Sequence, residues 1–165
     1  MRSNTKQVVK ANDSYQLVTF QLGGENYGIN IMDVKEIHSI QPVRPLPHAP
    51  KYVEGIFNLR GEVIPIINLH NRFSLKKIEI DEEDDDMLSG FVVLNINKVK
   101  VGIMIDRVLR VVTIAKELVQ PPPQVISGIG NEFVSGVVKQ EDGSYLTILS
   151  TRHLFDVNEL QRLTR

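Results

Sequence analysis

Short stretches of alternating apolar and polar residues run through most of the chain, and glycine or proline separates them. In "YQLVTFQLGGENYGINI", residues 15–31, apolar positions alternate on both sides of Gly23 and Gly24. Because glycine supplies the positive φ of a tight turn, this stretch predicts two strands joined by a hairpin. The "MDVKEIHSI" that follows predicts a further extended segment, with Val34 and Glu36 on the same face.

The same features recur further along the chain. The prolines of "QPVRPLPHAPKY" predict an irregular loop, because proline cannot donate a hydrogen bond to a sheet. Strands are predicted again over 52–57 and 62–67, and then through the valine-rich and isoleucine-rich "FVVLNINKVKVGIMIDRVLRVVTI". The remaining predictions are short helices at "LHNRF" and "NELQRLTR", a "PPP" loop at 121–123, and turns at Asn97-Lys98 and Asp142-Gly143. The fold class is therefore mainly β with short helices.

The two halves of the chain resemble each other. Gly28, Ile31 and Val34 align with Gly102, Ile105 and Val108. Further along, Gly61 and Ile66 align with Gly143 and Ile148 when one extra residue is allowed in the second turn. This repeat predicts a duplicated unit of five strands. Five short antiparallel strands usually curl into a small barrel.

Composition and charge argue against several classes of function. At 165 residues with 42% hydrophobic residues, the chain can bury a core of its own. A formal net charge of −1 and an aromatic content of 6% argue against nucleic-acid binding. The absence of cysteine excludes disulfides, thiolate metal sites and a cysteine nucleophile. We see no signal peptide and no apolar run of about 20 residues, so we expect a cytoplasmic protein.

None of the usual catalytic motifs occurs, and we expect neither an enzyme nor a cofactor. The four histidines lack the spacing of a metal site, and the sequence has no phosphate-binding loop and no nucleophile-elbow serine. The acidic run at 79–86 could bind a divalent cation through its carboxylates, but it lacks the spaced ligands of an EF-hand loop. We interpret it instead as a solvated connector.

The turn in "FNLRGEVIPIINLH" allows two interpretations. Gly61 is suited to a hairpin turn, and in that case Arg60 only points into water. The equivalent turn of the second half, "KQEDG", forms without an arginine. Because the planar guanidinium of arginine can clamp a carboxylate or several carbonyls, Arg60 could also link neighbouring loops, join the two barrels or contact a partner. The residues alone leave both interpretations open.

Three blocks together resemble the CheW family of bacterial chemotaxis coupling proteins. They are "FQLGGENYGINIMDVKEI", "PLPHAPKYVEGIFNLRGEVIPIINL" and "VGIMIDRVLRVV", and the resemblance covers about residues 15–157. It implies two pseudo-symmetric five-stranded SH3-like β-barrels with short helices. It also implies a non-catalytic adaptor that couples the cytoplasmic tips of chemoreceptors to the histidine kinase CheA.

The resemblance also implies site residues. Receptor-facing positions fall on Val34, Glu36, Arg60, Val108 and Val111. Kinase-facing positions fall on Val18 and Ile31, with Val34 shared. Turn-forming glycines are expected at Gly23, Gly24, Gly61 and Gly143, and no catalytic residue or metal ligand is expected.

The expected domain organisation is an N-terminal arm at 1–14, one CheW-like domain at 15–157, and a short helix or tail at 158–165. Within the domain, two intertwined barrels would occupy roughly 15–75 and 88–157, with the acidic connector at 79–86. Two alternatives remain at this point. One is a scaffold of another receptor and kinase array, for twitching or development. The other is a nucleic-acid-binding tandem of barrels, which would need exposed aromatic and basic residues on one face.

Overall fold

A computed structural model describes residues 13–73, 89–122 and 131–163. Nearly all of the predicted N-terminal arm and the whole acidic connector at 79–86 lie outside these residues. The described residues form ten strands and two α-helices. The strands are β1 Ser14–Leu22, β2 Glu25–Asn30, β3 Val34–Ser39, β4 Val53–Leu59, β5 Glu62–Asn68, β6 Gly90–Ile96, β7 Val99–Ile105, β8 Arg107–Ala115, β9 Val134–Lys139 and β10 Tyr145–Leu149. The helices are α1 Leu69–Phe73 and α2 Val157–Leu163.

The tight turns form where the sequence predicted them. Gly23 and Gly24 have φ values of 57° and 82° between β1 and β2, and Gly61 and Gly143 have 87° and 88° in the other predicted hairpins. Asn97 and Lys98 also adopt positive φ, although they carry side chains. The short helix predicted at "LHNRF" is α1, and the one predicted near the C-terminus is α2.

The strands form two sheets of five. The first barrel has the order β8-β1-β2-β10-β9, and the second has β3-β6-β7-β5-β4. The predicted fold class, mainly β with two five-stranded barrels, is confirmed. Each barrel takes strands from both halves of the chain, so the predicted halves at 15–75 and 88–157 do not each build one barrel. The cause is two crossings between the sheets, at the 3-10 helix Ile31–Asp33 and at Asp106 between β7 and β8.

The strand registers reproduce the internal repeat. In the parallel pair of β2 and β10, Gly28 lies opposite Ile148, and in the parallel pair of β5 and β7, Gly102 lies opposite Ile66. The space beside Gly102 is tight, because a Cβ there would lie 2.6 Å from the Ile66 Cδ1 atom, which would have to rotate away. The exchanged strands match in the same way: Val34 pairs with Leu94, and Val108 pairs with Phe20. The repeat therefore describes two units that have exchanged their first two strands.

The largest buried cluster lies between the two sheets. It contains Phe20 and Ile29 from the first barrel and Leu94 and Ile103 from the second. Each barrel also has a small core of its own, built around Leu146 in the first and around residues such as Ile64 and Phe91 in the second. Since burial of apolar surface is the main stabilising contribution to folding, this shared core holds the two barrels together.

Backbone bridges join the edges of each sheet. Arg44, beyond the end of β3, exchanges hydrogen bonds of 2.9 and 2.8 Å with Ile56 of β4. Gln120, beyond the end of β8, does the same with Val137 of β9 at 2.8 and 2.9 Å. The first and last strands of each sheet are therefore linked, and each sheet curls into a barrel.

Side-chain contacts fix the two crossings. At the second crossing, the Asp106 carboxylate contacts His70 Nε2 of α1 at 2.8 Å and accepts a 2.8 Å bond from the Gly23 N–H of the other barrel. At the first crossing, Asp33 accepts a 2.9 Å bond from the Thr151 hydroxyl. No helix of the described residues is long and apolar enough to cross a membrane.

Candidate functional site

The Asn58 to Gly61 turn is a tight hairpin between β4 and β5. Leu59 pairs with Glu62, so Arg60 and Gly61 are its two central residues, and their φ values are 50° and 87°. The Asn58 side-chain oxygen accepts a 3.0 Å bond from the Gly61 N–H. Positive φ suits glycine but is unfavourable for arginine, because a Cβ crowds the backbone in that region. The turn therefore holds an arginine in a conformation that glycine would adopt more readily.

Arg60 reaches from this turn to strand β3. One of its guanidinium nitrogens donates a 3.1 Å bond to Glu36 Oε2, and His38 contacts the other carboxylate oxygen of Glu36. Glu36 and Arg60 belong to the same barrel, at opposite edges of its sheet. The expectation that Arg60 could join the two barrels is therefore wrong, because the bond closes a corner of the second barrel instead.

The electrostatics of this corner favour the charged carboxylate. The Arg60 hydrogen bond, followed by the His38 contact, holds the pKa of Glu36 below its ordinary value. The Arg60 side chain is 72% exposed, whereas that of Glu36 is 22% exposed. The guanidinium is thus fixed at one end by a carboxylate while most of its surface faces outward, available to a carboxylate or carbonyl of a partner.

The other predicted receptor-facing residues lie on two strands of different barrels. Val34 on β3 and Val108 on β8 occupy equivalent places, and both are half-buried against the shared core. Val111 is on β8 as well, and it is 53% exposed. The structure brings Glu36 and Arg60 into contact. Val34 is on the same strand as Glu36, but the predicted shared face is wrong, because the register shift between them sets Val34 opposite Leu94 and Glu36 opposite Val93, on opposite faces of the sheet. Val108 and Val111 belong to the first barrel.

The predicted kinase-facing residues differ in exposure. Ile31 is half-buried in the 3-10 helix at the first crossing, where it can extend an apolar surface. Val18 is only 3% exposed, between Ile29 of β2 and Val111 of β8. Its role as a contact residue stays a prediction, and its side chain has almost no exposed surface to offer a partner.

Sequence reasoning missed several exposed apolar side chains. Met32, next to Ile31, is 84% exposed, and Ile37 on β3 is 43% exposed. The repeat contained a signal for one of them, because Ile37 aligns with Val111, and both side chains are exposed on the edge strand of a barrel. The other large exposed apolar residues of the described chain are Ile40, Val63, Leu118 and Tyr145.

The arrangement of the acidic and histidine side chains shows whether the described part of the chain could hold a metal ion. Within 13–73, 89–122 and 131–163, no group of three or more His, Asp or Glu side chains is arranged to hold a metal ion. The Glu36 corner presents a carboxylate paired with an exposed guanidinium.

Comparisons with known proteins agree with this geometry. Residues 16–159 match the family model described as the CheW-like domain. The chain is 58% identical over 151 residues to the chemotaxis protein CheW of Treponema pallidum strain Nichols, which covers 92% of this chain and 88% of that protein. It is 31% identical to the chemotaxis protein CheW of Rhizobium meliloti strain 1021, over 90% of this chain and 92% of the relative.

A solved structure supports the same relationship. The crystal structure of the scaffolding protein TtCheW from Thermoanaerobacter tengcongensis superposes with a TM-score of 0.76 at 34% sequence identity. The match covers 88% of this chain and 90% of that one. The family model, the sequence relatives and the fold all agree, and the chain belongs to the CheW-like family.

Proposed function

We propose that this chain is a non-catalytic adaptor of bacterial chemotaxis that couples the cytoplasmic tips of chemoreceptors to the histidine kinase CheA. The relatives are named chemotaxis proteins, and the structural neighbour is described as a scaffolding protein. An adaptor needs two separate surfaces that bind different partners. The observation that carries the proposal is the presence of exposed apolar residues on both barrels, beside one polar corner.

The kinase surface is proposed at the first crossing. Ile31, Met32, Val34 and Ile37 follow one another along the 3-10 helix and β3, and Val34 and Ile37 lie on the opposite face of β3 from Glu36. Met32 and Ile37 are exposed, whereas Ile31 and Val34 supply the half-buried base of the surface. Such residues contribute to binding mainly through the apolar area that the partner removes from water.

The receptor surface is proposed around Val34, Glu36 and Arg60, together with Val108 and Val111. The exposed face of the Arg60 guanidinium supplies orientation and specificity, and the valines supply apolar contact. Val34 is shared between the two surfaces, and that sharing provides a route for coupling. A receptor-induced shift at β3 would change the affinity for the kinase, which is a coupling free energy between two binding sites.

Titration calorimetry with the isolated regulatory domain of the same organism's CheA tests the kinase surface. We expect the full-length chain to bind, and Ile31→Asp to weaken binding at least tenfold, because a carboxylate would be desolvated in an apolar interface. Val63→Asp is the matched control. Val63 is 42% exposed on β5 of the second barrel and lies outside the proposed surface, so this variant should bind like the wild type.

Two results would count against the proposal. One is the absence of binding to any CheA paralogue of the organism. The other is equal loss of affinity in both variants while both remain folded by circular dichroism. If the partner is instead a paralogue from a twitching or developmental array, the same titration identifies it.

The nucleic-acid alternative gains no support from the described residues. Most of the phenylalanines are buried, and Tyr27 is 2% exposed. The buried phenylalanines are Phe20, Phe73, Phe91, Phe133 and Phe155. Stacking with bases needs exposed rings. Among the described aromatic residues, Tyr145 is the one exposed to about half its surface.

A further inference from the structure

A cleft opens at one corner of the first barrel. Its inner part, about 300 Å³, lies between β8 and the turn that joins β9 to β10. The lining residues come from β1, β2, β8, this turn and β10, and they are Thr19, Asn26, Leu109, Arg110, Val112, Gln140 and Leu146. The cleft continues into an adjoining hollow of about 650 Å³, its wider outer part, which shares five of these residues and extends along β8 to Ile114 and on to Leu118. Arg110 to Ile114 spans roughly 13 Å of strand, the length of about four residues of an extended peptide.

The inner cleft carries hydrogen-bond donors and a single charged residue. Arg110 is the only charged side chain among its lining residues, and no ion pair of the described chain includes it. The Gln140 side-chain oxygen lies 3.0 Å from the Ser144 hydroxyl, and the NH₂ group of the same amide can act as a donor. Asn26 places a second amide beside them. A guanidinium with neighbouring amides is chemistry that recognises a carboxylate.

The floor of the inner cleft is apolar. Val112 and Leu146 line it, and both pack in the core of the first barrel. Thr19 adds no free donor, since its hydroxyl already bonds to the Arg110 carbonyl at 2.6 Å and accepts from the Arg110 N–H at 3.1 Å. These two bonds fix the Arg110 backbone at the rim, so the position of its side chain is set by the strand. The cleft therefore suits an acidic side chain with an aliphatic neighbour.

The internal repeat shows how such a corner can be filled. Arg110 stands where Glu36 stands in the second barrel, because Glu36 pairs with Val93 next to Leu94, and Arg110 bonds to Thr19 next to Phe20. In the second barrel, Arg60 of the turn binds Glu36 at 3.1 Å. In the first barrel the charge on the strand is reversed, and the carboxylate that would complete the pair is missing.

The turn of the first barrel does not supply that carboxylate. Asp142 uses its carboxylate to accept bonds from the Ser144 N–H at 2.9 Å and the Ser144 hydroxyl at 2.5 Å. Glu141 lines the wider outer part of the cleft and forms no ion pair with Arg110. The corner thus contains one half of a charge pair and space for the other half.

We infer that this cleft is a third docking site, which takes an extended segment of a partner protein with one acidic residue flanked by aliphatic residues. The carboxylate binds Arg110 with help from Asn26 and Gln140, and an aliphatic side chain covers Val112 and Leu146. The remaining residues of the segment run beside β8, which is an edge strand of its sheet. The site is distinct from the proposed kinase and receptor surfaces, because Arg110 and Val112 face the cleft while Val111, between them, faces away.

Two pools of fluorescein-labelled hexapeptides test the inference. Both pools have aliphatic residues around a central position, which is Glu in one pool and Gln in the other. By fluorescence anisotropy at low salt, we expect the full-length chain to bind the Glu pool at least tenfold more tightly, because the amide loses the charge-assisted bond. Equal affinities for the two pools, or no binding of either pool, would overturn the inference.

Charge-reversal variants of the protein provide a second test of the cleft. Arg110→Glu should weaken binding of the Glu pool at least tenfold and should bind a matching Lys pool more tightly than the wild type does. Arg152→Glu is the control, because Arg152 is exposed outside the cleft and the change in net charge is the same. If both variants lose the Glu pool equally, the attraction is general rather than local, and the docking site is refuted. Arg110→Glu should still bind the CheA regulatory domain, so failure of the cleft and failure of the adaptor proposal are distinguishable.

A competition with glutarate separates a peptide from a small carboxylic acid. A peptide that fills the whole cleft should stay bound when glutarate is added at a hundred times the Kd of the peptide. Displacement by glutarate at a concentration near the peptide's Kd would show that the carboxylate pocket acts alone, and it would overturn the peptide as the occupant.

Discussion

The two barrels build equivalent corners with opposite charges. In the second barrel, Glu36 on the edge strand accepts a hydrogen bond from Arg60 of the turn. In the first barrel, Arg110 stands on the edge strand, and Asp142 of the turn bonds within the turn itself. The apolar and glycine positions of the repeat are the same in both. Packing therefore preserves the duplicated fold, whereas the charged positions have diverged and can serve different contacts.

The largest expected effect concerns two equivalent glycines that must be small for different reasons. A Cβ on Gly55 would lie 2.2 Å from the Arg44 backbone oxygen, and one on Gly136 would first meet a Val119 methyl at 2.5 Å. Because a backbone atom cannot rotate away, Gly55→Ala should cost about 3 kcal/mol in the free energy of unfolding, and Gly136→Ala about 1 to 2. Urea unfolding measures both.

Equal costs at the two glycines would contradict this expectation. They would show that the edges of both barrels are closed by contacts of the same stiffness. Gly61→Ala measures backbone strain without a steric clash, because nothing lies within 4 Å of a Cβ at this position. Its loss in the free energy of unfolding would come from the φ of 87° alone.

The second prediction concerns the strained arginine. Arg60→Gly relieves a φ of 50° but also removes the bond to Glu36, so the two effects should nearly cancel and the free energy of unfolding should change by less than about 0.5 kcal/mol. The same variant should lose affinity for the receptor's cytoplasmic fragment, because no guanidinium remains. Urea unfolding and calorimetry measure the two effects separately.

Lys98→Gly is the matched control for that prediction. Lys98 lies in the β6–β7 turn with a φ of 68°, outside the proposed surfaces. Because none of the ion pairs of the described residues includes Lys98, Lys98→Gly should be stabilised by about 0.5 kcal/mol, and it should bind the receptor normally. If Arg60→Gly binds the receptor as tightly as the wild type, then Arg60 only supports the local structure.

The smallest expected effect is on the pKa values of Glu36 and Asp142, the carboxyl groups at the two corners. The pKa of Glu36 is lowered first by Arg60, whereas the pKa of Asp142 is lowered by its bonds from Ser144. In Arg60→Ala, the pKa of Glu36 should therefore rise towards its ordinary value, and that of Asp142 should not change. Side-chain carboxyl NMR titration reads both groups in one sample.

The direction of the pKa shift of Glu36 determines how the free energy of unfolding depends on pH. A carboxylate whose pKa is lower in the folded state stabilises the fold above its unfolded pKa, which for Glu is 4.5. That contribution is lost as the pH falls from 4.5 through the lower folded value. The loss attributable to Glu36 should be smaller in Arg60→Ala, and an unchanged acid dependence would show that the Arg60 bond is absent in solution.

Local features of the fold were predictable from the sequence, and long-range pairing was not. The hairpin at Gly23 and Gly24 and the short helix at Leu69–Phe73 follow from patterns of a few residues. The exchange of strands between the barrels depends on β3 pairing with β6, which no local pattern encodes. The alternation along β1 shows which of its residues share a face, but not that Val18 is only 3% exposed.

The site was partly predictable in the same sense. The arginine of the hairpin turn stood out, because the other half of the repeat forms its turn without one. Its partner Glu36 was named only through the family resemblance, since the two residues are far apart in sequence and meet when the sheet curls. The exposure of Met32 depends on how the chain crosses between the barrels, and the sequence gives no measure of that.

The exchange of strands between the barrels also determines how the molecule can unfold. Each half of the chain alone would own three strands of one barrel and two of the other, so neither half could close a barrel by itself. Complementary fragments would have to find each other before either became ordered. Loss of order in one barrel would also remove strands from its neighbour, which makes the pair a single cooperative folding unit.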